Sequence, residues 1–89
     1  MFTLNNYSEV EFELLLKVQS KYLVVGKEVG ESGTPHLQGY VEFENARTLG
    51  GVKKLIGDRA HLEIRRGSAK QASEYCKKDG DFIEIGEIS

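Results

Sequence analysis

The sequence predicts an α+β domain. It reads as a ferredoxin-like split βαβ fold, with an antiparallel sheet of about five strands and helices mainly on one face. Three observations predict it. Strand and helix patterns follow the order β-α-β-β-α-β-α-β. The middle of the chain forms a hairpin, in which an apolar run over residues 22–28 turns at residues 30–34 into an alternating stretch over residues 35–43. Two helix starts, Ser8 with Glu11 and Ser68 with Gln71, have the spacing of a capping box.

Residues 2–4 are a short aromatic and β-branched run stopped by Asn5 and Asn6, which predicts a strand ending in a turn. A helix follows from the Ser8 cap to about Val18. Phe12, Leu15 and Leu16 give it an apolar stripe, and its glutamates sit in the first turns, where the helix dipole favours them. Residues 22–28 are nearly continuously apolar up to Gly26, which suits a central strand covered on at least one face. Thr48 caps a second helix to about Ile56, with Leu49, Val52, Leu55 and Ile56 on one side. Gly50 and Gly51 each weaken that helix by about 1 kcal/mol relative to Ala, and Gly57 and Asp58 end it. Residues 61–65 alternate as a strand. The third helix runs from the Ser68 cap to about Lys78 and stops at Asp79 and Gly80; residues 82–85 form the last strand. The first six elements place two helices on one sheet face and leave the other open. An open antiparallel face with polar side chains is a usual place for a ligand.

The 89 residues make one domain, with 39% hydrophobic residues, enough for a modest core. One cysteine, Cys76, excludes an internal disulfide and fits a reducing compartment. No apolar run approaches the roughly 20 residues that span a bilayer, and no signal peptide is visible at the N-terminus. Strands lie close to both ends, so the expectation is one domain of a longer protein. The net charge of −2 is unevenly spread: residues 1–46 carry −4, residues 47–80 carry +5 and residues 81–89 carry −3. The basic segment could face phosphates. Arg65, Arg66, Lys70 and Lys77 are its candidate phosphate contacts, and Tyr40 is a candidate for stacking on a base.

The hairpin concentrates the chemistry. In residues 35–43, Leu37, Val41 and Phe43 fall on one face, while His36, Gln38, Tyr40 and Glu42 fall on the other. His36 and Gln38 therefore offer an imidazole nitrogen and an amide oxygen side by side. The hairpin also returns Glu28 towards His36. Glu28, His36 and Gln38 could converge on one cation, and the absence of thiolate favours Mg²⁺ or Mn²⁺ over a structural Zn²⁺. In the third helix Tyr75 and Lys78 are three apart and share a face. A phenol, with an ordinary pKa of about 10, is a poor nucleophile without help from a nearby cation.

FTLNN at residues 2–6, TPHLQGY at residues 34–40 and EYCKK at residues 74–78 occur in the order and spacing of three family motifs. On these blocks the chain resembles the endonuclease domain of viral replication initiator (Rep) proteins of the HUH superfamily, most closely those of circoviruses and related small circular single-stranded DNA viruses. GKE at residues 26–28 and HLEIRRG at residues 61–67 fit the intervening strands, so the resemblance covers essentially the whole chain. It implies a metal-dependent nickase and ligase that starts rolling-circle replication. Glu28, His36 and Gln38 would hold Mn²⁺ or Mg²⁺, Tyr75 would attack phosphorus to form a 5′-phosphotyrosine, and Lys78 would orient the site or offset phosphate charge. It further implies single-stranded DNA at an origin hairpin as substrate, a helicase or ATPase domain beyond residue 89, and a location in the host nucleus. The isolated domain is expected to be monomeric and free of membrane.

Other assignments compete on the residues alone. His61 with Glu63 also places two ligand types on one strand face, but His36 is preferred because the hairpin gives it Glu28 as a third ligand. Glu31 and Glu42 lie near Glu28 in sequence. Lys77 could replace Lys78, but it lies about 200° around a helix from Tyr75. A non-catalytic single-stranded nucleic-acid module or a plain structural domain on the same fold are the alternatives to an enzyme.

Overall fold

The computed structural model describes residues 1–45, 47–64 and 67–88. Its elements are β1 (Phe2–Asn5), α1 (Glu9–Leu16), β2 (Tyr22–Val29), β3 (Pro35–Glu42), α2 (Leu49–Ile56), β4 (His61–Leu62), α3 (Ala69–Cys76) and β5 (Phe82–Gly86). The sheet order is β4-β1-β3-β2-β5, with every pairing antiparallel. The first four strands in space are those of the split βαβ fold, and β5 extends the sheet beyond β2.

Local sequence explains most boundaries. Ser8 and Ser68 cap α1 and α3 with reciprocal capping boxes through Glu11 and Gln71, and Thr48 caps α2 through the Gly51 amide. The hairpin turn closes through Gly30 N to Thr34 O at 3.0 Å, with Gly33 at φ 84°. Some elements are shorter than the pattern predicts. Of the strand expected over residues 61–65, His61 and Leu62 form β4, Glu63 and Ile64 lie past it, and residue 65 is outside the described residues. Beyond β4, Glu63 exchanges hydrogen bonds with Met1. α3 ends at Cys76, so Lys78 lies in the following turn. Its amide still reaches back to Tyr75 O at 3.4 Å, keeping the two residues neighbours.

Alternation along the strands divides the core in two. On one face α1 and α2 cover Phe2, Leu4, Leu23, Val25 and Leu37, with Phe12, Leu15 and Ile56 as the helix contributions. Leu49 and Leu55, assigned by periodicity to the same side of α2, remain exposed. The opposite face is not open as expected. α3 lies on it, packing Ala69, Ala72 and Cys76 against Tyr22, Val24 and Tyr40. Small residues at i, i+3 and i+7 let the helix approach closely. At Gly26 the approach is tightest, because a methyl group there would overlap the carbonyl oxygen of Cys76.

A second tie holds the front of the domain. Asn6 turns the chain after β1 at φ 51°. The Arg59 guanidinium donates to Asn5 O and Asn6 O, each at 3.3 Å, and forks onto Glu11 at 2.9 and 3.0 Å. Arg59 and the Ser8 hydrogen bonds hold the Glu11 carboxyl down to about 2.

Two predictions follow from this packing. Gly26→Ala is expected to lower stability by about 1–3 kcal/mol in urea titrations, as over-packing against immovable backbone does; an unchanged midpoint would show that α3 is not seated there. Because the Glu11 carboxyl is depressed from 4.5 to about 2, its stabilising contribution is present above the higher value and disappears as pH falls through the lower. Glu11→Gln should therefore be less stable than the parent at neutral pH, with the gap closing as pH approaches about 2. A gap that persists unchanged in acid would contradict it.

Candidate active site

The hairpin register sets the site. β2 and β3 pair Glu28 with His36 and Gly26 with Gln38, and β1 pairs Thr3 with Gln38. Directly opposed residues share a sheet face, so Glu28, His36, Gln38 and Thr3 all stand on the face that α3 covers. Glu28 is 8% exposed and Gln38 is 9% exposed. A carboxylate at that depth needs partners. Oε1 faces His36 Nε2 at 3.0 Å, and Oε2 accepts from Lys78 Nζ at 2.5 Å. Burial works to lower Lys78, but the hydrogen bond and charge of Glu28 outweigh it and hold the ammonium above its ordinary value. Gln38 is fixed from β1: its Nε2 donates to Phe2 O at 3.2 Å, and its Oε1 accepts from the Thr3 hydroxyl at 3.0 Å.

Tyr75 meets this group from the helix side. The Lys78 ammonium stands 4.0 Å from the Tyr75 ring centroid while bonded to Glu28, so one cation touches the hairpin carboxylate and the helix phenol. Tyr75 is 50% exposed. It lines a cavity of about 790 Å³ together with Gln38, Thr3, His61, Glu63 and Gln71. The other tyrosines are engaged elsewhere. Tyr22 donates its hydroxyl to Glu84 and is pushed up in pKa, chiefly by burial; Tyr40 donates to Glu42; Tyr7 packs beside Phe12. Cys76, next to Tyr75 in sequence, is buried, and its thiol is pushed up to about 11 chiefly by that burial, so it stays protonated and inert at neutral pH.

The structure thus brings together Glu28, His36, Gln38, Tyr75 and Lys78. Among the described residues no three His, Cys, Asp or Glu side chains gather as a metal site; this set holds one carboxylate, one imidazole and one amide. Those oxygen and nitrogen donors, with no thiolate, fit a hard divalent ion. The carboxylate already attracts a positive group, the Lys78 ammonium. Of the rivals to Glu28, Glu31 is exposed in the hairpin turn and Glu42 is engaged by Tyr40.

The candidate DNA contacts fare differently. Tyr40 is 4% exposed, packed on Tyr22 with ring centroids 6.1 Å apart, so it offers no free ring face to a base. That expectation is corrected: Val24 and α3 close over the face that alternation assigned to it. Lys77 turns to β5, donating to Glu84 Oε2 at 3.0 Å. Lys70 is exposed on α3, and Arg65 and Arg66 lie outside the described residues. Sequence reasoning set aside His61 and Glu63, yet both line the cavity with Tyr75. The strand order supplies the missing signal, because β4 flanks β1 and puts His61 opposite Thr3, in the same row as Gln38.

Residues 1–79 match the family model described as "Putative viral replication protein". The Para-Rep C2 of subterranean clover stunt C2 alphasatellite is 48% identical over 89 residues, which is 96% of this chain and 32% of that protein. The replication-associated protein of beak and feather disease virus is 46% identical over 92% of this chain and 29% of its own length. That of porcine circovirus 2 is 42% identical over 97% of this chain and 29% of its own length. The chain spans about a third of the length of these curated relatives. With the family model matched over most of its length and these relatives aligned across nearly all of it, the chain belongs to the viral replication protein family.

Proposed function

We propose that this domain nicks and rejoins single-stranded DNA at a viral origin, with Tyr75 as the nucleophile. The Tyr75 oxygen attacks a backbone phosphorus. A tyrosyl–phosphate bond forms at the 5′ side of the break, and the bond to the 3′ oxygen is cut. The phenol gives up its proton to solvent, and the leaving 3′ oxygen takes one up. Rejoining is the reverse, with an incoming 3′-hydroxyl displacing Tyr75, so the number of phosphoester bonds is kept and no nucleotide is consumed. When held by Glu28, His36 and Gln38, Mg²⁺ or Mn²⁺ supplies Lewis-acid stabilisation of the charge on the phosphate. Lys78 offsets the same charge beside the phenol, and Thr3 fixes the Gln38 amide. Lys70, with Arg65 and Arg66, would meet flanking phosphates.

One observation carries this reading: the Lys78 ammonium touches both the Glu28 carboxylate and the Tyr75 ring. It is supported by the cavity that Tyr75 shares with Gln38, and by relatives named replication-associated proteins. The origin hairpin as substrate, a nuclear location and an accompanying helicase or ATPase domain belong to the same proposal and rest on the family resemblance.

Incubation with a hairpin oligonucleotide and Mn²⁺, followed by a denaturing gel, tests it. A covalent adduct is expected, lost with chelator. Tyr75→Phe should reduce it by roughly a thousandfold or more, since the ring stays and the attacking oxygen goes. A chelator-resistant, non-covalent complex would instead favour a binding module. Gln38→Ala should raise the Mn²⁺ needed for half-maximal cleavage by at least about tenfold, on the scale of lost metal-site contacts. Unchanged dependence would move the third ligand elsewhere.

A further inference from the structure

The Glu28 carboxylate has two oxygens, and a lysine already occupies one of them. Lys78 Nζ lies 2.5 Å from Oε2, while Oε1 faces His36. The ammonium therefore stands as a built-in counter-ion at the place where a cation would dock. Its side chain is 40% exposed against 7% for Glu28, so the lysine can swing away and the carboxylate cannot. A dication arriving at Glu28 would also repel an ammonium a few ångströms away.

We propose that Lys78 and a divalent cation compete for Glu28, so that metal loading releases Lys78 from the carboxylate and frees it for a phosphate beside Tyr75. This rests on the metal site proposed above and goes beyond it. Lys78 has two roles in sequence: it neutralises a buried carboxylate while the site waits, and it serves as a phosphate partner once the metal has taken over that carboxylate. The ring contact is the pivot. Nζ sits 4.0 Å from the Tyr75 ring centroid in the docked arrangement, so release from Glu28 leaves the ammonium beside the ring of Tyr75, which itself lines the cavity. Lys77 is the natural comparison. It carries the same charge one residue away but is bonded to Glu84 on β5.

Mn²⁺ binding, followed by electron paramagnetic resonance of the free ion without DNA, reads the competition apart from activity. Removing a half-exposed competitor worth about 1 kcal/mol should tighten Mn²⁺ binding about fivefold in Lys78→Met. Lys77→Met should bind as the parent does, which separates competition from a general loss of positive charge. In the unsubstituted protein, saturating Mg²⁺ should raise the acylation rate of the Lys78 amine several-fold by mass spectrometry and leave Lys77 unchanged, a readout that does not depend on a variant folding. Equal or weaker Mn²⁺ binding by Lys78→Met, or a Lys78 acylation rate indifferent to Mg²⁺, would overturn the exchange while leaving the metal site in place. If Glu28→Gln binds Mn²⁺ as tightly as the parent, or if the parent binds none, the site itself fails and the exchange fails with it.

Discussion

A buried carboxylate joins the two halves of the site. Glu28 belongs to the hairpin, Lys78 follows the helix, and their ion pair links the sheet to the element that carries Tyr75. Removing either partner alone from such a pair is costly, because the remaining charge is left without a partner. The His36 contact on the other oxygen then orients the carboxylate along the sheet. Among the described residues no buried side-chain nitrogen or oxygen lacks a hydrogen-bond partner, so the desolvation of this polar cluster is offset by the bonds it makes.

That pair forms only because α3 can lie flat on the sheet. Ala69, Ala72, Ser73 and Cys76 are its buried residues, and none is large. Opposite them, Gly26 admits the helix backbone. A bulkier helix face would lift Tyr75 and Lys78 away from the hairpin. One further tie holds the helix from beyond its end, Lys77 to Glu84, whose carboxylate also accepts from Tyr22 of β2. The charge-assisted bonds on Glu84, first from Tyr22 and then from Lys77, hold its carboxyl below the ordinary range. β5 thus serves as a bracket for α3 as well as an edge strand.

Much of this was legible in the sequence, for identifiable reasons. The capping serines, the hairpin turn and the strict alternation of residues 35–43 are local signals, and local structure follows them. Pairing Glu28 with His36 needed only the hairpin register. The position of α3 was not legible, because a stripe of Ala, Ser and Cys carries little hydrophobic contrast and gives no hint of which sheet face it covers. Tyr40 was misjudged for the same reason: alternation gave its face correctly but could not show that the face was covered. His61 was set aside because the sequence offers it no third ligand; its place beside the Tyr75 cavity comes through strand order, a tertiary fact that no spacing encodes.

The geometry also separates the tyrosines. Tyr22 and Tyr40 are buried with their hydroxyls engaged by glutamates, and Tyr7 lies against the α1 side of the core. Tyr75 alone of the four combines exposure, a cation over its ring and a cavity shared with Gln38 of the hairpin. The most direct measurement is peptide mapping by mass spectrometry of protein trapped on a nicked oligonucleotide. The account predicts a nucleotide remnant on the peptide containing Tyr75. A remnant on Tyr7, Tyr22, Tyr40 or a serine would contradict it.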